Sequence, residues 1–384
     1  MPRNIVICCD GTGNQFGAVN TSVVRIVQSI DRNPAIQRLY YDPGVGTLPE
    51  PGVWGKFQQT CSQVAGLAFG AGLMFKVQEA YTYLMNIWEP GDRIFLFGFS
   101  RGAYTVRVLA GMLHTLGLLP RGNENMVPYV AKTYRALKGS NFKKWEKLCN
   151  DFRWTFARPV TDSDDRRCPV HFLGVWDTVS SVGWVWDPPT FPYTTGNPSI
   201  SIVRHAVSVD ERRCFFRQNL FKEESGQDFK EYWFPGVHSD VGGGYPEADS
   251  SIWKPTFEWL LAEAKIAGLE LKDDRLVTVM DRFKRTRNEN QNPYTSPQHE
   301  SLKGFWWILE FFPKLVWDSK LKCKLPQLGL GRHRIIQQKA LIHHSTLMRI
   351  RENKEYAPPN LSEAFRNKVK ALSTVPEFME YFEK

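Results

Sequence analysis

Long apolar runs are missing from this chain of 384 residues, and their absence limits what the protein can be. No uninterrupted apolar stretch reaches the ~18 residues that a membrane-spanning helix needs. The apolar run at residues 4–9 is too short for the core of a signal peptide, and it is better read as a first strand. The sequence therefore predicts a protein that is cytoplasmic as synthesised.

Paired cysteines and the usual nucleotide-binding or metal-binding patterns are missing as well. The seven cysteines include no C-x-x-C, and their odd number favours buried free thiols over a disulfide framework. No G-x-x-x-x-G-K-[ST] pattern occurs, which disfavours a nucleotide-binding loop. No set of ligands stands at metal-binding spacing. We therefore predict neither a cofactor nor a metal.

Positive charge, in contrast, is plentiful. The chain holds 49 Lys and Arg residues against 40 Asp and Glu residues, for a formal net charge of +9. Such an excess favours anionic partners, for example nucleic acid or acidic lipid headgroups. The basic residues are scattered apart from modest clusters such as 282–287, and no nucleic-acid motif accompanies them. Nucleic acid is therefore not the expected partner, whereas binding to an anionic surface stays open.

The most informative motif is the sequence GFSRG at residues 98–102. The apolar run 93–97 predicts a strand before it, and apolar residues at helical spacing predict a helix over 103–112. A strand, a tight turn and a helix are the context that a G-x-S-x-G nucleophile elbow requires. The elbow holds its serine clear of the sheet, so the motif predicts Ser100 as a nucleophile.

A serine nucleophile needs a base to take its proton and an acid to orient that base. In α/β-hydrolases these groups follow in the order serine, acid, histidine. Asp177 comes after the strand-like run 170–175, and His238 ends the run 232–237 and opens a Gly-rich loop. Functional residues lie at the carboxyl ends of parallel strands. This order predicts a triad of Ser100, Asp177 and His238.

Two other roles stay open for the acidic residues near this predicted triad. Asp177, which is followed by Thr178, also suits a turn or a helix N-cap. Asp240 stands two residues after His238 and is a rival for the acid, although a role in fixing the Gly-rich loop suits it better.

The remaining histidines rank below His238. His205 lies in 202–210, which has the pattern of a helix. His343 and His344 lie in a predicted helix over 340–350, where a structural or capping role is expected.

The tetrahedral intermediate of acyl transfer needs two backbone donors for its oxyanion. The residue after the nucleophile, Arg101, supplies one N–H group. The second usually comes from a loop after an earlier strand, and here Gly11 and Thr12 are the candidates, with Asp10 beside them as a supporting residue. A simple Asp-Gly turn is the alternative interpretation of this loop.

Alternating strand-like and helical patterns predict an α/β-hydrolase-like fold, with a mostly parallel central sheet flanked by helices. The predicted catalytic core spans 1–281, with insertions near 51–72 and 120–167, and residues 282–384 form a C-terminal cap packed on the core. The predicted strands are 4–9, 37–41, 93–97, 170–175 and 232–237. The predicted helices are 23–31, 75–87, 103–112, 127–137, 143–152 and 256–267.

The segment 304–317 concentrates Phe, Trp and Leu between lysines. One interpretation is a lid-like element that docks onto an anionic membrane surface and opens over the site. The other is a cap helix buried on the core.

Five blocks of the sequence resemble an uncharacterised α/β-hydrolase family that includes type VI secretion lipase effectors of the first class. They are 4–14, 40–47, 91–107, 172–183 and 235–245, with a further match at 210–213. The resemblance implies the triad of Ser100, Asp177 and His238, with esterase or phospholipase activity. It also suggests delivery by a secretion system that needs no signal peptide.

The sequence as a whole predicts a serine carboxylic-ester hydrolase that acts on lipid or phospholipid esters. The alternative is a catalytically silent or anionic-surface-binding interaction protein on a hydrolase scaffold. A secreted effector and an intracellular housekeeping esterase both fit the sequence.

Overall fold

The computed structural model describes most of the chain. The described residues are 2–11, 17, 19–44, 67–137, 141–160, 165–180, 191–246, 249, 251–285, 292–304, 306–318 and 323–382. Most of the predicted insertion near 51–72 therefore lies outside the described residues.

Strands and helices alternate from the first strand to the helix after the third strand, and the other strands of the sheet follow later. The strands are β1 (Asn4–Cys9), β2 (Gln37–Asp42), β3 (Arg93–Phe99), β4 (Val170–Trp176), β5 (Ile200–Ser208), β6 (Asp228–Phe234), β7 (Lys314–Asp318), β8 (Cys323–Gln327), β9 (Leu341–His343) and β10 (Phe378–Glu380). The helices are α1 (Ser22–Ser29), α2 (Leu67–Ile87), α3 (Arg101–Leu116), α4 (Val127–Tyr134), α5 (Phe142–Phe156), α6 (His238–Gly242), α7 (Trp253–Ile266), α8 (Asp273–Arg285), α9 (Trp306–Glu310), α10 (His344–Glu352) and α11 (Glu363–Lys370).

One large sheet organises the molecule. Its strands stand in the order β10-β9-β6-β5-β4-β3-β1-β2, and all neighbouring pairs are parallel except β9 and β10. The strands β7 and β8 form a separate antiparallel pair. The predicted α/β-hydrolase-like fold, with a mostly parallel sheet flanked by helices, is confirmed.

Helices cover both faces of this sheet, because alternate side chains of each strand point to opposite sides. On β1, Ile5 and Ile7 pack in the core that α2 and α3 cover. Val6 and Cys8 pack in a second core with α1 and α7. All four side chains are buried. The central strands are therefore apolar on both faces, as a parallel sheet with helices on both sides requires.

The predicted helix over 202–210 is wrong, because these residues belong mainly to β5, which lies between β4 and β6. Two buried polar residues interrupt the apolar run of this strand. Arg204 pairs with Glu263 of α7 at 2.6 Å, and His205 pairs with Glu231 of β6 at 2.8 Å. Buried polar side chains need such hydrogen-bond partners, and these partners come from other elements of the fold.

The helix predicted over 340–350 is also partly wrong. Residues Leu341–His343 form β9, which pairs with β6, and α10 begins only at His344. The other predicted strands and helices are present, with ends that differ by a few residues in most cases. The largest differences are that α2 begins earlier than predicted and that β6 begins and ends earlier.

Part of the predicted C-terminal cap, 282–384, contributes to the large sheet. Two of its short strands, β9 and β10, extend the sheet next to β6. A third apolar core, which includes Trp233, Leu347 and Phe365, joins this part of the chain to β6. None of the helices among the described residues is both long enough and apolar enough to cross a membrane.

Candidate active site

Ser100 occupies the turn between β3 and α3. Its backbone angles are φ 59° and ψ −123°, a conformation that residues other than glycine rarely adopt. The turn is fixed by two backbone bonds: the Ser100 N–H donates to the carbonyl of Trp176 at 3.1 Å, and the Ser100 carbonyl accepts from the N–H of Val179 at 3.2 Å. Arg101 follows as the first residue of α3.

The two glycines of the GFSRG motif are required by close backbone contacts. A Cβ atom at Gly98 would lie 2.6 Å from the Cα of Ala103. A Cβ atom at Gly102 would lie 2.5 Å from the carbonyl oxygen of Asp10. The start of α3 is therefore packed tightly against the loop that follows β1, and side chains at these positions would separate the two.

Asp177 and His238 meet at the carboxyl edge of the sheet. Asp177 directly follows β4, has a positive φ of 38°, and donates its N–H to the carbonyl of Ala206 at 2.7 Å. Its Oδ2 lies 2.5 Å from Nδ1 of His238. Because an ionised carboxylate only accepts hydrogen bonds, Nδ1 carries the proton and Nε2 is left as the basic nitrogen. His238 was predicted to open a Gly-rich loop, and in the structure it is the first residue of the short helix α6.

Two aromatic rings hold the imidazole of His238 beside the serine turn. Phe99, the neighbour of Ser100, stacks on it with ring centroids 4.6 Å apart, and Phe216 meets it edge-on at 4.8 Å. Burial lowers the pKa of His238, although the bond to Asp177 acts in the opposite direction. Ser100, Asp177 and His238 expose only 7%, 1% and 3% of their surface.

A fourth residue, Arg334, joins this group although sequence reasoning missed it. Its Nη1 donates to Oδ1 of Asp177 at 2.5 Å, and its Nη2 donates to Oδ2 at 3.0 Å. Burial alone would raise the pKa of Asp177, but the charge of Arg334 and the bond from His238 outweigh burial and hold that pKa well below its usual value. Arg334 is 157 positions away from Asp177, and no local pattern marks it.

The turn before His238 is held by the residues of the 210–213 block. Oδ2 of Asp210 accepts the N–H of Gly236 at 2.6 Å, and Oε2 of Glu211 accepts the N–H of His238 at 3.2 Å. Burial raises the pKa of Asp210 to about 6. In the sequence, residues 210–213 stood out only as an unexplained match to the family. In the structure, two of these residues accept hydrogen bonds from the backbone on either side of Val237.

Asp240 fixes the start of α6. Its Oδ2 accepts the N–H of Val237 at 3.0 Å, and its Oδ1 lies 2.7 Å from Nδ1 of His299. The role in fixing the loop, which the sequence favoured, agrees with these contacts, while Asp177 makes the bond to Nδ1 of His238.

Asp10 organises the loop after β1. Its Oδ1 accepts the N–H of Gly11 at 2.7 Å, and its Oδ2 accepts the hydroxyls of Thr21 at 2.7 Å and Tyr41 at 3.2 Å. The N–H of Gly11 is thus directed at a side chain of the protein. An oxyanion role for Gly11 requires this bond to be exchanged for one to the substrate. Thr12, the other candidate in this loop, lies outside the described residues.

The histidines that ranked lower have structural partners. His205 lies between Glu231 and the hydroxyl of Thr178, which is 3.2 Å from its Nε2. Nδ1 of His343 accepts the N–H of Ser345 at 3.1 Å and so caps α10. In the described part of the chain, no group of three or more His, Cys, Asp or Glu side chains is arranged to hold a metal ion.

The described part of the aromatic segment reaches this site through α9. Trp306 of α9 contacts Phe216 edge-on at 5.3 Å, and Phe216 in turn contacts His238. Buried Glu310 anchors the end of α9, because its Oε1 accepts the N–H of Cys214 at 2.7 Å. Other apolar side chains of the segment are exposed: Trp307, Ile308, Phe311 and Phe312. The segment therefore combines a face packed toward the site with a face open to solvent.

The sheet and the residues at its carboxyl edge define an α/β-hydrolase-like protein. Among protein families, the type VI secretion phospholipase effector Tle1-like catalytic domain matches residues 3–263. The chain belongs to this family of phospholipase effectors. The match ends before Arg334 and before the aromatic segment.

One curated relative aligns with this chain over only part of its own length. An uncharacterized protein of Saccharomyces cerevisiae is 35% identical over 237 residues, which is 57% of this chain and 33% of the yeast protein. The chain thus spans about a third of the length of this curated relative.

Two solved structures show a weaker likeness. A crystal structure of an uncharacterized protein from Pseudomonas aeruginosa has a TM-score of 0.42 at 19% identity, covering 73% of this chain and 48% of the other. A Tle1 effector bound to the VgrG spike of the type VI secretion system has a TM-score of 0.35 at 18% identity, covering 65% of this chain and 52% of the other.

Proposed function

We propose that this protein is a serine carboxylic-ester hydrolase that acts on lipid or phospholipid esters. The observation that carries the proposal is the strained turn at Ser100, which lies beside the hydrogen-bonded pair of His238 and Asp177. Strained residues of this kind cluster at functional sites. Membership of a phospholipase effector family supports the choice of lipid esters.

In the proposed mechanism, Oγ of Ser100 attacks the carbonyl carbon of the ester while Nε2 of His238 takes the hydroxyl proton. The carbonyl electron pair moves onto oxygen, and the tetrahedral intermediate then expels the alcohol, which receives the proton from His238. In the second half of the reaction, water attacks the acyl-enzyme while Nε2 of His238 takes its proton. The new tetrahedral intermediate then releases the carboxylic acid, and His238 returns the proton to Oγ of Ser100. Asp177 keeps the proton of His238 on Nδ1 and stabilises the imidazolium that forms.

The proposed oxyanion donors come from two loops. The backbone N–H of Arg101, the residue after the proposed nucleophile and the first residue of α3, is one proposed donor. The second donor comes from the loop after β1, whose backbone lies against Gly102. Gly11 contributes only if its N–H leaves the carboxylate of Asp10.

Contact with an anionic membrane surface is the proposed route to the lipid. Ile308 and Phe311 expose 54% and 64% of their surface, and the chain carries a net charge of +9. Apolar side chains that insert between headgroups, together with positive charge, favour binding to anionic lipid. Displacement of α9 toward the membrane would also uncover Phe216 and His238. Family membership further supports delivery through a type VI secretion system.

A fluorophosphonate probe tests the nucleophile directly, because it forms a covalent bond with activated serines. We expect the wild type and the control Ser373→Ala, at an exposed serine, to be labelled and to hydrolyse p-nitrophenyl esters and phospholipid vesicles. Ser100→Ala should lose labelling and roughly 10⁴-fold or more in kcat. Equal labelling of Ser100→Ala would refute the mechanism. A folded wild type that binds anionic vesicles without labelling or hydrolysis would favour the silent-scaffold alternative.

A further inference from the structure

The carboxylate of Asp177 is shared between two cationic or potentially cationic partners. Oδ2 accepts from Nδ1 of His238 at 2.5 Å and from Nη2 of Arg334 at 3.0 Å. Oδ1 accepts from Nη1 of Arg334 at 2.5 Å and from the N–H of Ser208 at 3.0 Å. Such a bidentate hydrogen bond from a guanidinium fixes the orientation of the carboxylate plane and stabilises the ionised carboxylate.

The guanidinium of Arg334 is itself held in place. Nη1 also donates to the carbonyl of Ser208 at 3.1 Å, and Nη2 donates to the carbonyl of Phe216 at 2.5 Å. The side chain exposes only 4% of its surface. Arg334 therefore bridges Asp177, the end of β5 and the loop that carries Phe216, which packs on His238.

We propose that Arg334 is a positioning residue of the active site, which orients Asp177 and keeps His238 in its neutral, basic form down to mildly acidic pH. This inference rests on the function proposed above. It also means that a residue outside the family match at 3–263 completes the site.

The sign of the effect follows from the charges around His238. A lone buried carboxylate would favour the protonated imidazole, whereas a guanidinium bonded to the same carboxylate opposes that attraction. Among the described residues, Glu211 and Arg213 also act on the charge of His238, and they pair with each other at 2.9 Å. Asp240, on the same short helix as His238, pairs with His299. In the part of the chain that the structure describes, Arg334 is thus a cation bonded directly to the carboxylate that pairs with His238.

The experiment compares Arg334→Met and Arg334→Lys with the wild type in two measurements. One is the pH dependence of kcat/KM for a soluble p-nitrophenyl ester between pH 5 and pH 9. The other is an NMR titration of ¹³C-labelled histidine, with the His238 signal assigned by its loss in His238→Gln. Arg332→Gln, at an exposed arginine two residues away, is the matched control.

We expect the acidic limb of kcat/KM and the titration of His238 to move to higher pH in Arg334→Met. Below the limb, kcat/KM should fall about tenfold for each pH unit of displacement. Arg334→Lys should lie closer to the wild type, and Arg332→Gln should coincide with it. The NMR titration follows the His238 signal of the folded protein, so a loss of yield in Arg334→Met does not hide the result.

A uniform loss of rate at every pH, with unchanged limb and unchanged titration, would overturn the inference and leave Arg334 with a purely structural role. If the wild type proves inactive, the proposed function fails, but the NMR titration still decides the role of Arg334.

Discussion

Replacing His343 by asparagine should remove one pH-dependent contribution to the stability of the fold. His343 ends β9, its ring stacks on Phe234 at 4.1 Å, and its Nδ1 accepts the N–H of Ser345 at the start of α10. Burial lowers the pKa of His343 from 6.5 to about 3. The folded protein therefore keeps this imidazole neutral at a pH where the unfolded chain protonates it.

The magnitude follows from this difference in pKa. Because the pKa is lower in the folded state, the contribution of His343 is fully present above pH 6.5 and is lost as the pH falls toward 3. Between pH 7 and pH 5 the linkage removes about 2 kcal/mol of unfolding free energy. An asparagine can still accept the N–H of Ser345 as an N-cap, but it does not titrate.

Urea unfolding at pH 8, 7, 6 and 5 measures this contribution. The stability of the wild type minus that of His343→Asn should fall by about 2 kcal/mol from pH 7 to pH 5. Loss of the ring stacking changes the difference in unfolding free energy between the two proteins by the same amount at every pH. It therefore leaves the dependence of that difference on pH unchanged. His343→Gln, which also lacks a titrating group, should give the same slope. A difference that does not vary with pH would refute the reasoning.

Two further predictions concern the serine turn and the aromatic segment. Gly102→Ala should destabilise the protein by about 1–3 kcal/mol and reduce labelling of Ser100, because the new Cβ atom would collide with the carbonyl oxygen of Asp10. The control is Gly17→Ala, since a Cβ atom at Gly17 meets nothing within 4 Å. Thermal unfolding and probe labelling measure both effects, and a stable, fully labelled Gly102→Ala would contradict the packing described. The double variant Ile308→Ser and Phe311→Ser should bind and hydrolyse anionic vesicles at least roughly tenfold less well than the wild type. The reason is that the two serines bury less apolar surface in the membrane than the isoleucine and the phenylalanine do. Hydrolysis of a soluble ester should be retained, and Ile266→Ser, 83% exposed on α7, should behave as wild type; equal loss on both substrates would argue against a docking role.

The parts of the fold that local sequence patterns determine could be predicted from the sequence. The strand β1, the alternation with α1, β2 and β3, and the turn at Ser100 follow from apolar periodicity and from glycines that the backbone requires. The contact between Asp177 and His238 follows from the rule that the carboxyl ends of parallel strands share one edge.

The parts that could not be predicted depend on distant partners. The strand β5 has the pattern of a helix because Arg204 and His205 interrupt its apolar run, and their acidic partners come from α7 and β6. Arg334 stands in a segment with no regular pattern, and only the complete fold brings it to Asp177. His238 was expected on a loop because five residues of helix carry too little periodicity to be recognised.

The bond between Arg334 and Asp177 also has a consequence for the order of assembly. It closes a loop of 157 positions, and the loss of chain entropy in so long a loop is offset only when the strands between them have paired. A chain still emerging from the ribosome, with Arg334 not yet available, would hold Ser100, Asp177 and His238 without the cation that balances the buried carboxylate. A buried carboxylate without its partner is costly. We therefore expect the geometry of the site to be completed late in folding, after the strands that carry its other residues have paired.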